Sequence, residues 1–420
     1  MNKFINCSTI IIFFLLTSFI SRAQWQEQAS GLTTSLNSAS GVTDNIAWVC
    51  GNAGRVLRTN NGGVNWINAT GTGIPPSLDL YNIFAIDSTT ALVTGSSTTS
   101  FVFRSTNGGL TWVQVFSQTG GFINAIWMTS PVTGLMYGDP VGARWSLWRT
   151  TNGGVNWDST GMFLAQAGGE AGWNNSLFVT GTNVWFGTNN SRVYYSPLGG
   201  ITGTWQVQST TQTNSYALWF NTSTSGMLGG AQLMATNNSG LNWSAVTSPG
   251  TGNFTGITGS TVNWWVTRQA NTIYRTTDNG VTFTTDYTAP AGSFTHIQKA
   301  ASGSRMWAVR NNGGIASSLS TVGILPISSE IPGYYSLSQN YPNPFNPATN
   351  FTFSLPKSAS VTIKIFDVVG REVDVIANNE FKNAGVYIVN YSADRLSSGV
   401  YFYRITANDF AETRKMVLTK

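Results

Sequence analysis

Three carboxylates of this 420-residue chain, Asp79, Asp139 and Glu170, are the residues best placed by type for acid–base chemistry. Hydrolysis of a glycosidic bond needs two such groups about 5–9.5 Å apart. Asp44 and Asp87 fall in turns between strands, where a short acid serves its own backbone. Capture of a substrate carboxylate would need clustered arginines, yet Arg55, Arg144, Arg192, Arg268, Arg305 and Arg310 are scattered. His296 is the single histidine, so no Ser/His/Asp set and no metal-ligand spacing can be assembled around it. A lone histidine reads as a partly buried ring with a local partner. No glycine-rich phosphate loop occurs. What recurs is a set of pairs where short apolar strands begin: Asp79 with Tyr81, Phe122 with Asn124, Glu170 with Trp173, Asn214 with Tyr216, and Phe294 with His296. Such aromatics also suit a plain core, but with amides and acids beside them they can stack on and hydrogen-bond a glycan or protein partner. The candidate ligand-binding set is therefore Asp79, Tyr81, Glu170, Trp173, Tyr216 and His296, with no catalytic residue, metal or cofactor assigned.

The elements that must position these residues come from a repeat. Trp148-Arg149-Thr150-Thr151-Asn152-Gly153-Gly154-Val155-Asn156-Trp157 returns at Leu57 to Trp66, Phe103 to Trp112, Met234 to Trp243 and Tyr274 to Phe283. A looser copy runs from Tyr194 to Trp205. The closing aromatics Trp66, Trp112, Trp157, Trp205, Trp243 and Phe283 are spaced by 46, 45, 48, 38 and 40 residues. A period of roughly 40–50 residues marks a propeller or solenoid. Alternating apolar residues on either side of Asn61-Gly62-Gly63 predict two strands joined by a hairpin turn, in which Asn and Gly supply the left-handed geometry. Each buried closing aromatic removes about 150–250 Å² from water. At about 25 cal/mol per Å² this is worth several kcal/mol per repeat.

The pattern Ser/Thr-x-Asp/Asn-x-Gly-x-x-Trp resembles the Asp-box. The repeats are similar to those of the photosystem II assembly factor family and, more distantly, to those of sialidases, sortilin-type receptors and xyloglucanases. Asn61, Asn107, Asn152 and Asn238 stand where the family has Asp, and Asp278 alone keeps the acid. An Asn can accept the same local bond. The resemblance implies a propeller with the boxes on the rim, away from the ligand face. Gln24-Trp25-Gln26-Glu27 resembles the last strand of a repeat without its beginning, and the segment from Phe294 to Ser317 resembles a repeat without its end. Joining the two predicts a seven-bladed propeller over residues 24–320, closed by strand exchange, which leaves no open sheet edge.

Residues 1–23 have Lys3, the apolar run Ile10 to Ile20 and Ser21-Arg22-Ala23, the signature of a secretory signal peptide cut after Ala23. Cys50 is then the only cysteine left, in an apolar strand, so no internal disulfide is expected. Charged residues are 9% of the chain, about a third of the usual share, while aromatics reach 13%. Between Gln24 and Ser320 there are 11 Lys/Arg against 9 Asp/Glu, and beyond that 9 against 8. With no basic cluster, nucleic acid is not an expected partner.

Residues 321–335, with Pro326 and Ile331-Pro332-Gly333, read as a linker. Alternating runs follow at Thr349 to Leu355, Val361 to Asp367, Val386 to Tyr391, Val400 to Thr406 and Glu412 to Leu418, as in a small Ig-like β-sandwich over 336–420. Asn340-Tyr341-Pro342-Asn343-Pro344-Phe345-Asn346-Pro347, the turn with Gly370 and Arg371, Ser397-Ser398-Gly399-Val400-Tyr401 and the stretch from Lys415 resemble the type A carboxy-terminal sorting domain of the type IX (Por) secretion system. The resemblance implies export by that machinery to the outer surface of a Gram-negative bacterium, with removal of the tail there, and release or anchoring of the rest. The overall expectation is an all-β, secreted or surface-held binding protein, with a secreted glycoside hydrolase of sialidase or xyloglucanase type as the alternative. An intracellular assembly role like that of the photosystem II family fits poorly with a sorting tail.

Overall fold

The computed structural model describes residues 25–260, 263–318, 323–328, 331–393 and 396–420. The expected signal peptide, with Cys7, lies outside them. All regular elements among the described residues are β-strands.

Seven sheets occupy residues 25–318. Their innermost strands are Leu36–Gly41, Leu80–Ala85, Ile123–Met128, Gly172–Thr180, Ala217–Phe220, Phe254–Ser260 and Phe294–Lys299. Each innermost strand packs beside those of the two neighbouring sheets, and Phe294–Lys299 packs against both Phe254–Ser260 and Leu36–Gly41. Three second strands, Ala47–Gly51, Gly226–Gly229 and Met306–Arg310, are buried along their whole length because a neighbouring sheet covers each face, and the others are buried over most of theirs. Six of the sheets have four strands. In the sheet that starts at Ile123 the outermost segment keeps only isolated bridges, Arg149 with Asp158 and Arg144 with Ala165.

The sheet built on Phe294–Lys299 takes its fourth strand from the other end of the chain. Trp25–Gln28 runs antiparallel to Ile315–Ser318, with Trp25 opposite Ser318 and Gln28 opposite Ile315. Trp25 is buried among Trp265, Ile273, Phe294 and Met306. Its indole N–H donates to Asp286 Oδ2 at 2.8 Å. Glu27 pairs with the buried Arg310 guanidinium and accepts from the Tyr287 hydroxyl.

The repeated turns share one hydrogen-bond pattern. In the first, the Gly63 N–H donates to Thr59 Oγ1 at 2.9 Å and the Asn65 N–H to Asn61 Oδ1 at 3.0 Å. The same two bonds recur around Asn107, Asn152, Asn238 and Asp278. The amide oxygen of Asn thus does what a carboxylate would. In the looser copy Ser196 keeps the glycine bond, to Gly200, and pairs its hydroxyl with Thr204 instead. Arginines of the repeat tie neighbouring turns together: Arg58 donates to the Gly108 carbonyl at 3.0 Å and Arg104 to that of Gly153 at 2.7 Å.

The tail is a two-sheet sandwich around one core that includes Phe345, Phe351, Phe353, Ile363, Tyr403 and Met416. One difference from expectation stands out. Gly323–Ser328, expected as linker, pairs with Gly385–Ser392 as an edge strand, a position that tolerates the missing N–H of Pro326. Glu372–Lys382 is also a strand, on the edge of the other sheet. The proline motif is braced within itself and tied to the last strand: the Asn340 amide donates to the Pro342 carbonyl at 3.0 Å, and Asn343 Oδ1 accepts from the Val417 N–H at 2.9 Å. Asp367 caps the turn that holds Gly370 and Arg371, accepting from the Arg371 N–H at 3.0 Å.

Candidate functional site

Six of the innermost strands carry a register shift just after they start, at Leu36/Ser38, Leu80/Asn82, Ile123/Ala125, Gly172/Leu177, Phe254/Gly256 and Phe294/His296. A bulge re-aims the side chain it carries, and Tyr81, Asn124 and Trp173 are bulge residues. Gly138 makes room for this arrangement: a Cβ there would stand 2.2 Å from the Phe122 carbonyl oxygen. The rings of neighbouring strand starts meet one another. Tyr81 meets Phe122 edge-on at 4.7 Å between centroids, and Trp173 meets Tyr216 at 4.4 Å. All four rings are half-buried. Tyr216 also accepts from the Asn253 amide at 3.3 Å.

The acids are differently placed. Asp79 is half-buried, and its carboxylate accepts the Ala53 N–H at 2.9 Å. Asp139 accepts from Asn124 at 2.8 Å and from the Gly172 N–H at 2.7 Å, and burial raises its pKa above the ordinary carboxylate value. Glu170 is the most enclosed of the three. Only 2% exposed, it is ion-paired to Arg192 at 3.0 Å and accepts from the Tyr194 hydroxyl at 2.8 Å. A buried carboxylate needs such partners, and they join Glu170 to the strand Arg192–Ser196. Among the described residues no three His, Cys, Asp or Glu side chains gather as metal ligands.

His296 lies deeper, on the wall of a central space of about 30 Å³ lined from all seven innermost strands. Its Nδ1 accepts the Ala39 N–H at 3.1 Å, and desolvation lowers its pKa to about 4. The imidazole is therefore neutral at ordinary pH. Asn175, in a left-handed conformation at φ 65°, crosses this space. Its Oδ1 accepts from Ser38 and from Asn82, each at 2.8 Å, and its amide donates to the Asn37 carbonyl. Cys50 is free and buried, and desolvation pushes its thiol well up, as an inert core residue requires.

The larger cavity lies at the opposite ends of the innermost strands. It measures about 230 Å³ and is lined by Gly41, Val42, Phe84, Ile86, Trp127, Met128, Pro131, Trp219, Gln298 and Lys299, among others. Trp127, Phe178 and Trp219 form a ring cluster here, with centroids 5.1, 4.8 and 6.3 Å apart, and Phe84 lies 6.0 Å from Trp127. The candidate set missed these residues. Their sequence signal is weak: Ala125-Ile126-Trp127-Met128 reads only as an apolar strand.

Residues 339–419 match the secretion system C-terminal sorting domain. No curated protein shows a significant match to the sequence. Among solved structures, YCF48 bound to a D1 peptide is similar with a TM-score of 0.57 and 17% identity, over 70% of this chain and 97% of that one. YCF48 from Cyanidioschyzon merolae gives 0.53 and 18%, over 70% and 98%. The WD40 β-propeller domain of Doa1 gives 0.52 and 10%, over 70% and 96%. At these identities the likeness is one of fold. The chain thus carries a β-propeller fold ahead of a secretion-system sorting domain, and is a protein for export by the type IX route.

Proposed function

We propose that residues 25–318 are a seven-bladed propeller closed by exchange of the Trp25–Gln28 strand, and that it serves as a non-catalytic binding module. The sorting tail delivers it to the outer surface of a Gram-negative bacterium, where it is released or stays anchored. The observation that carries the binding reading is that Asp79, Asp139 and Glu170 are each engaged by protein partners, while half-buried rings face both mouths of the channel. An acid–base pair for hydrolysis would have to be released from those bonds first. A bound peptide on one propeller of this fold supports a protein partner over a small solute. The mature chain should bind a partner without turning over chromogenic glycosides. Steady hydrolysis that is lost in Asp79→Asn or Asp139→Asn would replace this reading with the hydrolase.

A further inference from the structure

We propose that the 230 Å³ funnel between Trp127 and Trp219 is the recognition pocket, and that it takes one large apolar side chain of a protein partner with an acidic group beside it. The inference rests on the binding reading above and names its site and ligand chemistry. Size comes first. Sites for drug-sized molecules run to about 300–1,000 Å³, so this funnel suits a single side chain. It is also blind, since the space behind it holds only about 30 Å³ and is crossed by Asn175. That is room for little more than a water molecule.

Chemistry comes second. The walls are mostly apolar, with Val42, Phe84, Ile86, Met128, Pro131 and the two indoles against Ser40, Thr129, Ser130, Gln298 and Lys299, a balance that suits an apolar side chain better than a sugar ring with a hydroxyl on most carbons. The rings are held in advance: Phe178 packs edge-on against both indoles, and the Trp219 N–H donates to Asn221 Oδ1 at 3.1 Å. Rigid aromatic pockets of this kind are where interface energy concentrates. Charge comes third. Among the described residues Lys299 is the one ionisable side chain lining the funnel, and no Asp or Glu lines it. A partner with an acidic residue next to its apolar anchor is therefore favoured over a basic one.

The test uses the full mature chain with acetyl-Phe-Asp-amide, acetyl-Phe-Lys-amide and methyl glucopyranoside as probes, followed through the Met128 methyl and Trp127 indole resonances. The acidic dipeptide should shift both signals and bind at least about threefold more tightly than the basic one. Lys299→Glu should reverse that order, and Trp219→Ala should weaken both dipeptides at least about tenfold while leaving the Trp25 and Trp48 resonances in place. Unchanged order in Lys299→Glu, or shifts with the pyranoside and neither dipeptide, overturns the proposal. Shifts confined to the Tyr81 and Trp173 mouth also overturn it but leave the binding reading standing. Turnover of chromogenic glycosides would remove both.

Discussion

His296 has an ordinary pKa near 6.5 when unfolded and one of about 4 in its place on the channel wall, because the charged imidazole is denied water there. The sign follows directly. Below pH 6.5 the unfolded chain takes up a proton that the folded chain refuses, so stability falls as pH drops from about 6.5 towards 4. Between pH 7 and pH 5 the cost is about 1–2 kcal/mol for this one group. Denaturant titrations of the mature chain at the two pH values should show it, and His296→Gln should lose that part of the pH dependence. The box asparagines make the opposite point at the same scale. Asn152 accepts the Asn156 N–H at 3.0 Å just as Asp278 accepts that of Thr282 at 2.9 Å, so the local turn was legible despite the missing acid. Residue type and spacing suffice for a bond that closes within five residues.

At the scale of elements, the strand Trp25–Gln28 is fixed less by its own sequence than by what receives it. Trp25 sits 7% exposed, stacked 6.0 Å from Tyr287 and bonded to Asp286. Truncating such a ring leaves a cavity, and Trp25→Ala should cost about 3–5 kcal/mol. A melt of the mature chain that moved by only a degree or two would contradict this and the strand-exchange proposal with it. The edge strand Gly323–Ser328 escaped sequence reading because Pro326 and its neighbours carry linker composition. Pairing with Gly385–Ser392 is a long-range fact, and nothing local announces it.

At the scale of the whole molecule, two parts have separate cores, and the tail carries the sorting domain. The tail's motifs are mostly structural fasteners, as Asn340, Asn343 and Asp367 show. Gly399 differs. It opens the strand Gly399–Ala407 without a left-handed φ, and a Cβ there meets nothing closer than 3.6 Å. Its backbone does not demand glycine, so its use in a sorting motif is free to lie in recognition. Removing residues 339–420 should leave the propeller folded but retained inside a type IX-competent cell, whereas Gly399→Ala should fold normally. Fractionation with an antibody to the propeller distinguishes the two. Secretion of the truncated chain at the full-length level would sink the export assignment.

From the sequence by itself came the repeat, the turn chemistry, the unpaired strands at the two ends and the sorting motifs, because each is written in residues close together or in a fixed period. Only the tertiary structure decided which mouth of the channel is hollow. Trp127, Phe178 and Trp219 belong to three different innermost strands, and their rings meet only when those strands are packed side by side. The same packing sealed Glu170 behind Arg192 and Tyr194, since burial is a property of neighbours that a linear chain does not name.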